Sequence, residues 1–323
     1  MMTLSIHAYH AGDLHALLTF VGVCSRACDF CGVLHPGDIR HALSNGLRGE
    51  DPSDYFQVAR DENEQIIGVV MNYRAVQQEY EVIVHPEHRG SEFERALIAH
   101  AEARQIEIMR RFIHTCSPRE RERAQAQFTW VGSAAMPCDS ARNDALRAAG
   151  YTIGEAYMML TRRDLNTPIP YAPIPEDFHF RPATRDDADA LGALHSAAFD
   201  SGWKPGEYRR VMDCAAFEIE NELLVVAPGE RLAAFTVIWI DPISESGLFE
   251  PVGCHPDFQR KGLTRALLYE GMRRMQAAGA QTALVTHELE DENPASARLY
   301  ASVGFKPIDA IHEARKPITL YTG

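Results

Sequence analysis

No run of about 20 consecutive apolar residues occurs in the chain, which leaves out a membrane-spanning helix. The opening stretch, "MMTLSIHAYHAGDLHALL", lacks the basic start and unbroken apolar core of a secretion signal, so a cytoplasmic protein is expected. A basic surplus is missing too. Acidic residues number 45 against 32 basic ones, a formal charge of −13. A general nucleic-acid binder is thereby excluded, because phosphates need a basic surface. The same balance suits a cationic partner such as an amine. Cysteine is sparse, 7 in 323 residues, and in the cytosol thiols are expected to stay reduced.

Three of those cysteines need separate weighing. "CSRACDFC" sets Cys24, Cys28 and Cys31 at the spacing of a three-thiolate iron–sulfur site. The same spacing also puts them on one face of a helix, as small buried thiols. A cluster enzyme of that kind needs alternating strands and helices around the cluster, and the rest of the chain does not read that way. The helical reading is favoured, and no metal is expected.

What the chain does contain is a copy of itself. "HPEHRGSEFERALI" (His85 to Ile98) aligns with "HPDFQRKGLTRALL" (His255 to Leu268), and "LRAAGY" (Leu146 to Tyr151) with "YASVGF" (Tyr300 to Phe305). The two matches lie at different offsets, so the first copy carries about 16 extra residues between them. The charged stretch around Pro118 is expected to hold them as a long loop. Between the copies, "DLNTPIPYAPIPEDF" is rich in proline and reads as a stiff linker. The boundaries follow: a first domain over 1–163, a linker over 164–175 and a second domain over 176–323.

In the second copy the elements follow a clear order. A short strand "FHFRPAT" and two helices, "RDDADALGALHSAAF" and "YRRVMDCAAF", come first. A hairpin around Pro228-Gly229 and a third strand, "GLFEPVGC", follow. Then come a glycine turn, a long helix ending at Gly279, a strand "TALVTH", a helix closed by Gly304, and a last strand "PITLY". The glycine turn carries chemistry. A helix start offers unpaired N–H groups and a partial positive charge. A glycine there lets an anion approach the main chain. In "QRKGLT" the amides of Arg260, Lys261, Gly262, Leu263 and Thr264 would form such a cradle, with Arg260, Lys261 and Arg265 adding charge.

The run Gln259-x-x-Gly262-x-Thr264, between a strand and a helix, resembles motif A of the Gcn5-related N-acetyltransferases (GNAT), Thr264 standing where the family prefers Gly or Ala. "NPASARLYASVGF" (Asn293 to Phe305) resembles the family's motif B helix. The resemblance covers the second domain and, diluted, the first. It implies an α/β (α+β) chain of two tandem domains, each a mixed, largely antiparallel sheet flanked by helices. It implies acetyl-CoA as donor and an amine as acceptor, joined directly in a ternary complex. Position by position, Val252, Gly253 and Cys254 should run beside the pantetheine arm, where a bulge opens a cleft. Gln259 to Arg265 should hold the pyrophosphate and Asn293 should contact the pantetheine. Tyr300 should protonate the departing thiolate.

Glu250 is the candidate general base, placed by strand alternation on one face with Val252 and Cys254. Its alternative is a solvated strand residue or an ion-pair partner. The acid role of Tyr300 is favoured over an ordinary half-buried aromatic, and Cys254 reads as a small buried thiol. His255 and its counterpart His85 suit a structural turn, while His287 stays a minor candidate base. Trp203, Tyr208 and Trp239 fill core or line an acceptor pocket. In the first copy Glu92 stands opposite Gly262, Glu94 opposite Thr264, Leu146 opposite Tyr300 and Asp139 opposite Asn293. Carboxylates repel a pyrophosphate and leucine donates no proton, so the first domain reads as a silent copy. Its acids could instead cap their own helix.

The expected function is acetylation of a small-molecule amine. Acetylation of a protein amine, or acyl-CoA sensing without turnover, are the alternatives. A monomer with pseudo-dimeric domains and a homodimer both remain open.

Overall fold

The structure, a computed structural model, describes residues 5–320. In the first half the elements are β1 (Ser5–Ala8), α1 (Leu14–Ala27), α2 (Pro36–His41), β2 (Phe56–Arg60), β3 (Ile66–Asn72), β4 (Tyr80–Val84), α3 (Glu92–Thr115), α4 (Pro118–Gln127), β5 (Trp130–Ala135), α5 (Ser140–Ala148) and β6 (Thr152–Asp164). The second half adds β7 (His179–Pro182), α6 (Ala188–Phe199), α7 (Glu207–Met212), β8 (Glu222–Ala227), β9 (Arg231–Asp241), β10 (Ser246–Cys254), α8 (Leu263–Ala277), β11 (Thr282–Glu288), α9 (Pro294–Ser302) and β12 (Lys306–Pro317). Among the described residues no helix is long and apolar enough to cross a membrane.

Two compact units result, and both are discontinuous in sequence. The first gathers Met1–Leu34, Asp51–Met159 and Asp309–Gly323; the second gathers His35–Glu50 and Leu160–Ile308. A division at 163 and 176 therefore describes the halves of the repeat rather than the compact bodies. Neither the excursion of 35–50 nor the return of 309–323 has a local mark in the sequence.

In the first unit β1, β2, β3 and β4 form an antiparallel sheet in that order. Strand β5 pairs antiparallel with the end of β12, Trp130 opposite Pro317 through Ala135 opposite His312. Val70, Tyr80, Val82, Leu97, Ile98, Val131 and Leu146 make its core. In the second unit β7, β8, β9, β10 and β11 lie side by side, antiparallel except for the parallel pair β10–β11. All of β8, "ELLVVA", is buried, which is why it reads as an apolar run without alternation. Residues from α8, Leu267, Met272 and Met275, close the core over Ile238 and Phe249.

Several local expectations change. The charged stretch after α3 is a helix, α4, not a loop. Pro118 sits at its first turn, where a missing N–H costs nothing, and Ser117 with Glu120 forms a capping box. The proline-rich stretch is irregular but not free. Arg163 and Arg273 donate to the carbonyls of Pro168 (2.9 Å) and Pro170 (3.0 Å), and Ile169 and Ile174 pack on the second unit's core. The last strand is β12, which ends at Pro317, near the start of the expected "PITLY". Strands β7 to β11 and helices α6, α8 and α9 fall where the sequence puts them, while α7 stops at Met212, short of the expected Phe217.

The cysteine expectations are corrected as well. Helix α1 ends at Ala27, so Cys31 lies beyond it and shares no helix face with Cys24. Cys31 is instead in a disulfide with Cys138, so not every thiol is reduced. Cys24 is buried, and burial pushes its thiol up to about 12. Among the described residues no group of His, Cys, Asp or Glu is arranged to hold a metal.

Candidate functional site

Strand β10 carries an irregularity in the expected place. Its antiparallel register with β9 runs from Ser246 to Phe249, shifts, and resumes from Val252 to Cys254. The shift interrupts the alternation used to set Glu250 on one face with Val252 and Cys254. On the other side β10 pairs with β11 only over Ser246, Gly247 and Leu248. Beyond Leu248 the two parallel strands part, so Val252, Gly253 and Cys254 are bonded to β9 on one edge and to no strand on the other among the described residues. A free edge of this kind can receive an extended ligand by backbone pairing.

The chain next makes a one-turn 3-10 helix, Pro256–Phe258, capped by His255, whose Nδ1 accepts the Asp257 N–H at 3.2 Å. His85 plays the same part before Pro86–His88, accepting from Glu87 at 3.4 Å. Then the backbone turns twice into the left-handed region, at Arg260 (φ 61) and at Gly262 (φ 78). Gly262 is the residue before α8, and a Cβ built on it meets nothing within 4 Å. Its glycine is thus required by backbone angle, not by crowding, and the space beside it is open. Among the described residues the backbone N–H groups of Arg260 to Arg265 donate no hydrogen bond. Unpaired successive amides with a left-handed residue between them form an anion-binding concavity. Arg260, Lys261 and Arg265 are exposed around it.

The corresponding turn of the first copy is filled from within. Ser91 caps α3 and accepts the Glu94 N–H at 3.3 Å. The Glu94 carboxylate folds back on the Gly90 N–H at 2.5 Å and is fully buried, with Arg142 4.0 Å away. The acid thus serves its own helix as expected, but Glu94 does so alone. Glu92, opposite Gly262, points outward and is exposed. Leu146 is fully buried in that unit's core.

Glu250 lies at the β10 irregularity. Its carbonyl accepts the Trp239 Nε1–H at 2.6 Å, and its carboxyl Oε1 stands 4.0 Å from His41 Nε2. Desolvation pushes Glu250 up to about 7, although its side chain is 36% exposed, and the Asp38 side chain nearby offsets part of that rise. Burial holds Asp38 well above the usual carboxylate range, and the Glu250 charge adds to the effect. Burial also pushes His41 down to about 4, so it is neutral near pH 7. Asp38 and His41 belong to α2, and sequence reasoning missed both. The His-Pro-x-Asp capping box marks a helix start, with the His35 N–H donating to Asp38 at 2.6 Å, but no local signal says where that helix docks.

Tyr300 is 7% exposed on α9, its ring stacked on His287 of β11 at 5.2 Å. Its hydroxyl has no hydrogen-bonding partner among the described residues, and burial raises its pKa, keeping the phenol protonated. Asn293 caps α9, accepting the Ser296 N–H at 3.1 Å and donating to Glu288 at 2.8 Å. Asp139 likewise caps α5 in the first copy, accepting the Arg142 N–H at 3.1 Å. Burial raises the Cys254 thiol, which speaks against a thiolate nucleophile. Tyr208 and Trp239 are each 1% exposed and are core; Trp203 is half-buried under the Arg48 guanidinium, 4.2 Å from its ring centre.

Known proteins resemble the chain in sequence over part of its length and in fold along almost all of it. The model of the Acetyltransferase (GNAT) family matches residues 188–305. A mycothiol acetyltransferase of Salinispora arenicola (strain CNS-205) is 28% identical over 236 residues, spanning 70% of this chain and 68% of that protein. Two solved structures share the fold along almost the whole chain. A tandem GNAT protein from the clavulanic acid biosynthesis pathway gives a TM-score of 0.62 at 15% identity, covering 99% of both chains. A Gcn5-related N-acetyltransferase from Sphaerobacter thermophilus gives 0.60 at 17%, covering 99% of this chain and 96% of its own.

Proposed function

This chain belongs to the GNAT N-acetyltransferase superfamily, with the family signature in its C-terminal half and the tandem fold throughout, and on that premise we propose that it transfers an acetyl group from acetyl-CoA to the amine of a small molecule. The observation that carries the reading is the run of unpartnered amides from Arg260 to Arg265 at the start of α8. They receive the pyrophosphate, helped by Arg260, Lys261 and Arg265. Val252, Gly253 and Cys254 pair through their free edge with the pantetheine, and Asn293 reaches it with its remaining N–H. A backbone N–H at the β10 irregularity faces the oxyanion that forms on the thioester carbonyl.

The reaction is direct. The neutral amine attacks the carbonyl, the carbon–sulfur bond breaks, and the thiolate leaves. Glu250, with its pKa near 7, takes the proton that the amine sheds. Tyr300, kept protonated by burial, supplies one to the thiolate. A net charge of −13 favours a cationic acceptor, and the name of one relative, a mycothiol acetyltransferase, fits a small molecule.

Thiol release from acetyl-CoA across a panel of small amines and peptides tests the reading. Turnover with small amines supports it, while turnover with peptide N-termini or lysines alone moves the protein to protein acetylation. With the best acceptor in hand, Tyr300→Phe is expected to lower kcat about 100-fold or more while leaving acetyl-CoA affinity unchanged. The phenylalanine keeps the stack on His287, so the loss isolates the hydroxyl. An unchanged kcat removes Tyr300 from the chemistry.

A further inference from the structure

The second compact unit contains a cavity of about 460 Å³ that the acetyl transfer does not use. Its volume lies in the range of small-molecule sites. Every residue that lines it belongs to that unit: the end of β6 and the turn after it, the start of β11 and the start of β12. The cavity is far from the glycine turn. Thr282 of β11 lies opposite Ser246, the first residue of β10, whereas the turn follows Cys254, the last. The C-terminal end of α8 is beside it. Gln276 donates to the Leu165 carbonyl at 2.6 Å, and the Leu165 N–H donates to the Gln281 carbonyl at 2.8 Å. The glycine turn opens the same helix, which is 15 residues long, or about 22 Å at the usual rise.

Arg163 is the residue that points to a ligand there. It lines the cavity and is only 7% exposed. Its guanidinium is bonded to carbonyls alone: Nη1 donates to Val303 and Nη2 to Pro168 at 2.9 Å, while the buried Nε has no partner. A buried charge is ordinarily matched by an opposite one. Val303 closes α9, and a helix end supplies only about half an elementary charge. The Tyr269 ring, 5.6 Å from the guanidinium carbon, offers a π face and no counter-ion. Among the described residues no carboxylate forms an ion pair with Arg163, and the amine of Lys306, exposed and lining the same cavity, has neither an ion pair nor a hydrogen bond. Arg162 adds a third positive charge. Asp164 is the one carboxylate of the lining, and its Oδ1 accepts the Asn166 N–H at 2.8 Å. Three cations against one acid reverse locally the sign of a chain whose net charge is −13. We propose that this cavity is a second ligand site, which takes a small anion bearing phosphate or carboxylate groups, its charge set against Arg163 and Lys306. Asn166 and Thr282 supply neutral donors for the remainder of such a ligand.

Isothermal calorimetry on the full chain at low ionic strength tests this with two probes, pyrophosphate for phosphate groups and citrate for carboxylates. Both are titrated into Gly262→Glu, whose glycine turn no longer competes for phosphate, and into the same chain with Lys306→Glu added. At least one probe is expected to bind Gly262→Glu, and Lys306→Glu should weaken that binding by about tenfold or more, since a repelling charge replaces an attracting one. The probe that binds more tightly names the anionic group. Arg163→Met in the same background should abolish the binding. Should that variant fail to fold by circular dichroism, Lys306→Glu decides alone, because its side chain is exposed. No binding of either probe, or binding that Lys306→Glu leaves unchanged, overturns the proposal. Lys306→Glu with Gly262 intact should bind acetyl-CoA as the wild type does; a loss there would make the cavity part of the donor site rather than a second one. The acetyltransferase reading fails separately, by absence of acetyl-CoA binding to the wild type, and that result leaves the two probe titrations as they are.

Discussion

Glu250→Gln is expected to lower kcat by about 100- to 10,000-fold, the span usual for loss of a general base. Glutamine keeps the volume and the neighbours but cannot take a proton from the attacking amine. In the wild type the base works only when ionised, so kcat/KM should rise with pH through about 7, where burial has pushed Glu250, and level off above it. In the variant that limb should vanish, leaving whatever slope the acceptor's own amine imposes. Acetyl-CoA affinity should not change, because Glu250 lies on the strand before the residues assigned to the donor. Steady-state kinetics from pH 5.5 to pH 9 at about ten acceptor concentrations separate these effects. A variant with wild-type kcat and an intact limb would show that the proton leaves through water and that Glu250 only shapes the site.

Gly262→Glu should weaken acetyl-CoA binding by about a thousandfold. A carboxylate at about 4 Å from a phosphate, near a protein surface, costs about 4 kcal/mol. The left-handed angle at Gly262, φ 78, adds about 1 kcal/mol of strain for any side chain. Gly262→Ala carries only the second cost, since an added Cβ touches nothing within 4 Å, and should bind within about tenfold of the wild type. The first copy fills its turn from a different position: Glu94, opposite Thr264, occupies the amide of Gly90 at 2.5 Å, while Glu92, opposite Gly262, is exposed. Isothermal calorimetry with acetyl-CoA checks both variants. Equal affinity for wild type and Gly262→Glu would remove the pyrophosphate from this turn.

The parts of the site that were legible in the sequence are those written in consecutive residues. A strand, a basic glycine turn and a helix start are local features, and "HPDFQRKGLTRALL" contains them all. Angles at Arg260 and Gly262 and the capping by His255 follow from that one stretch. Repetition made the filled turn of the first copy legible too, since Glu94 stands where the second copy has Thr264. What could not be read depends on pairs distant in sequence. His41 and Glu250 are brought to 4.0 Å by docking of a six-residue helix, and nothing around Pro36 names its receptor. Cys31 finds Cys138 rather than Cys24 or Cys28, because the chain leaves the helix at Ala27. Alternation along β10 failed at the register shift after Phe249, where pairing with β9, not side-chain pattern, sets the backbone. Helix α4 was within reach: Ser117, Pro118 and Glu120 are a start signal that a run of charge obscured.

The account stands on where the donor's pyrophosphate sits. A crystal structure with coenzyme A bound is the most direct measurement of it. One molecule per chain is predicted, its phosphate oxygens within hydrogen-bond distance of the amides between Arg260 and Arg265 and its pantetheine along Val252, Gly253 and Cys254. Coenzyme A found instead at the Gly90–Glu94 turn, or bound to neither turn, would contradict it.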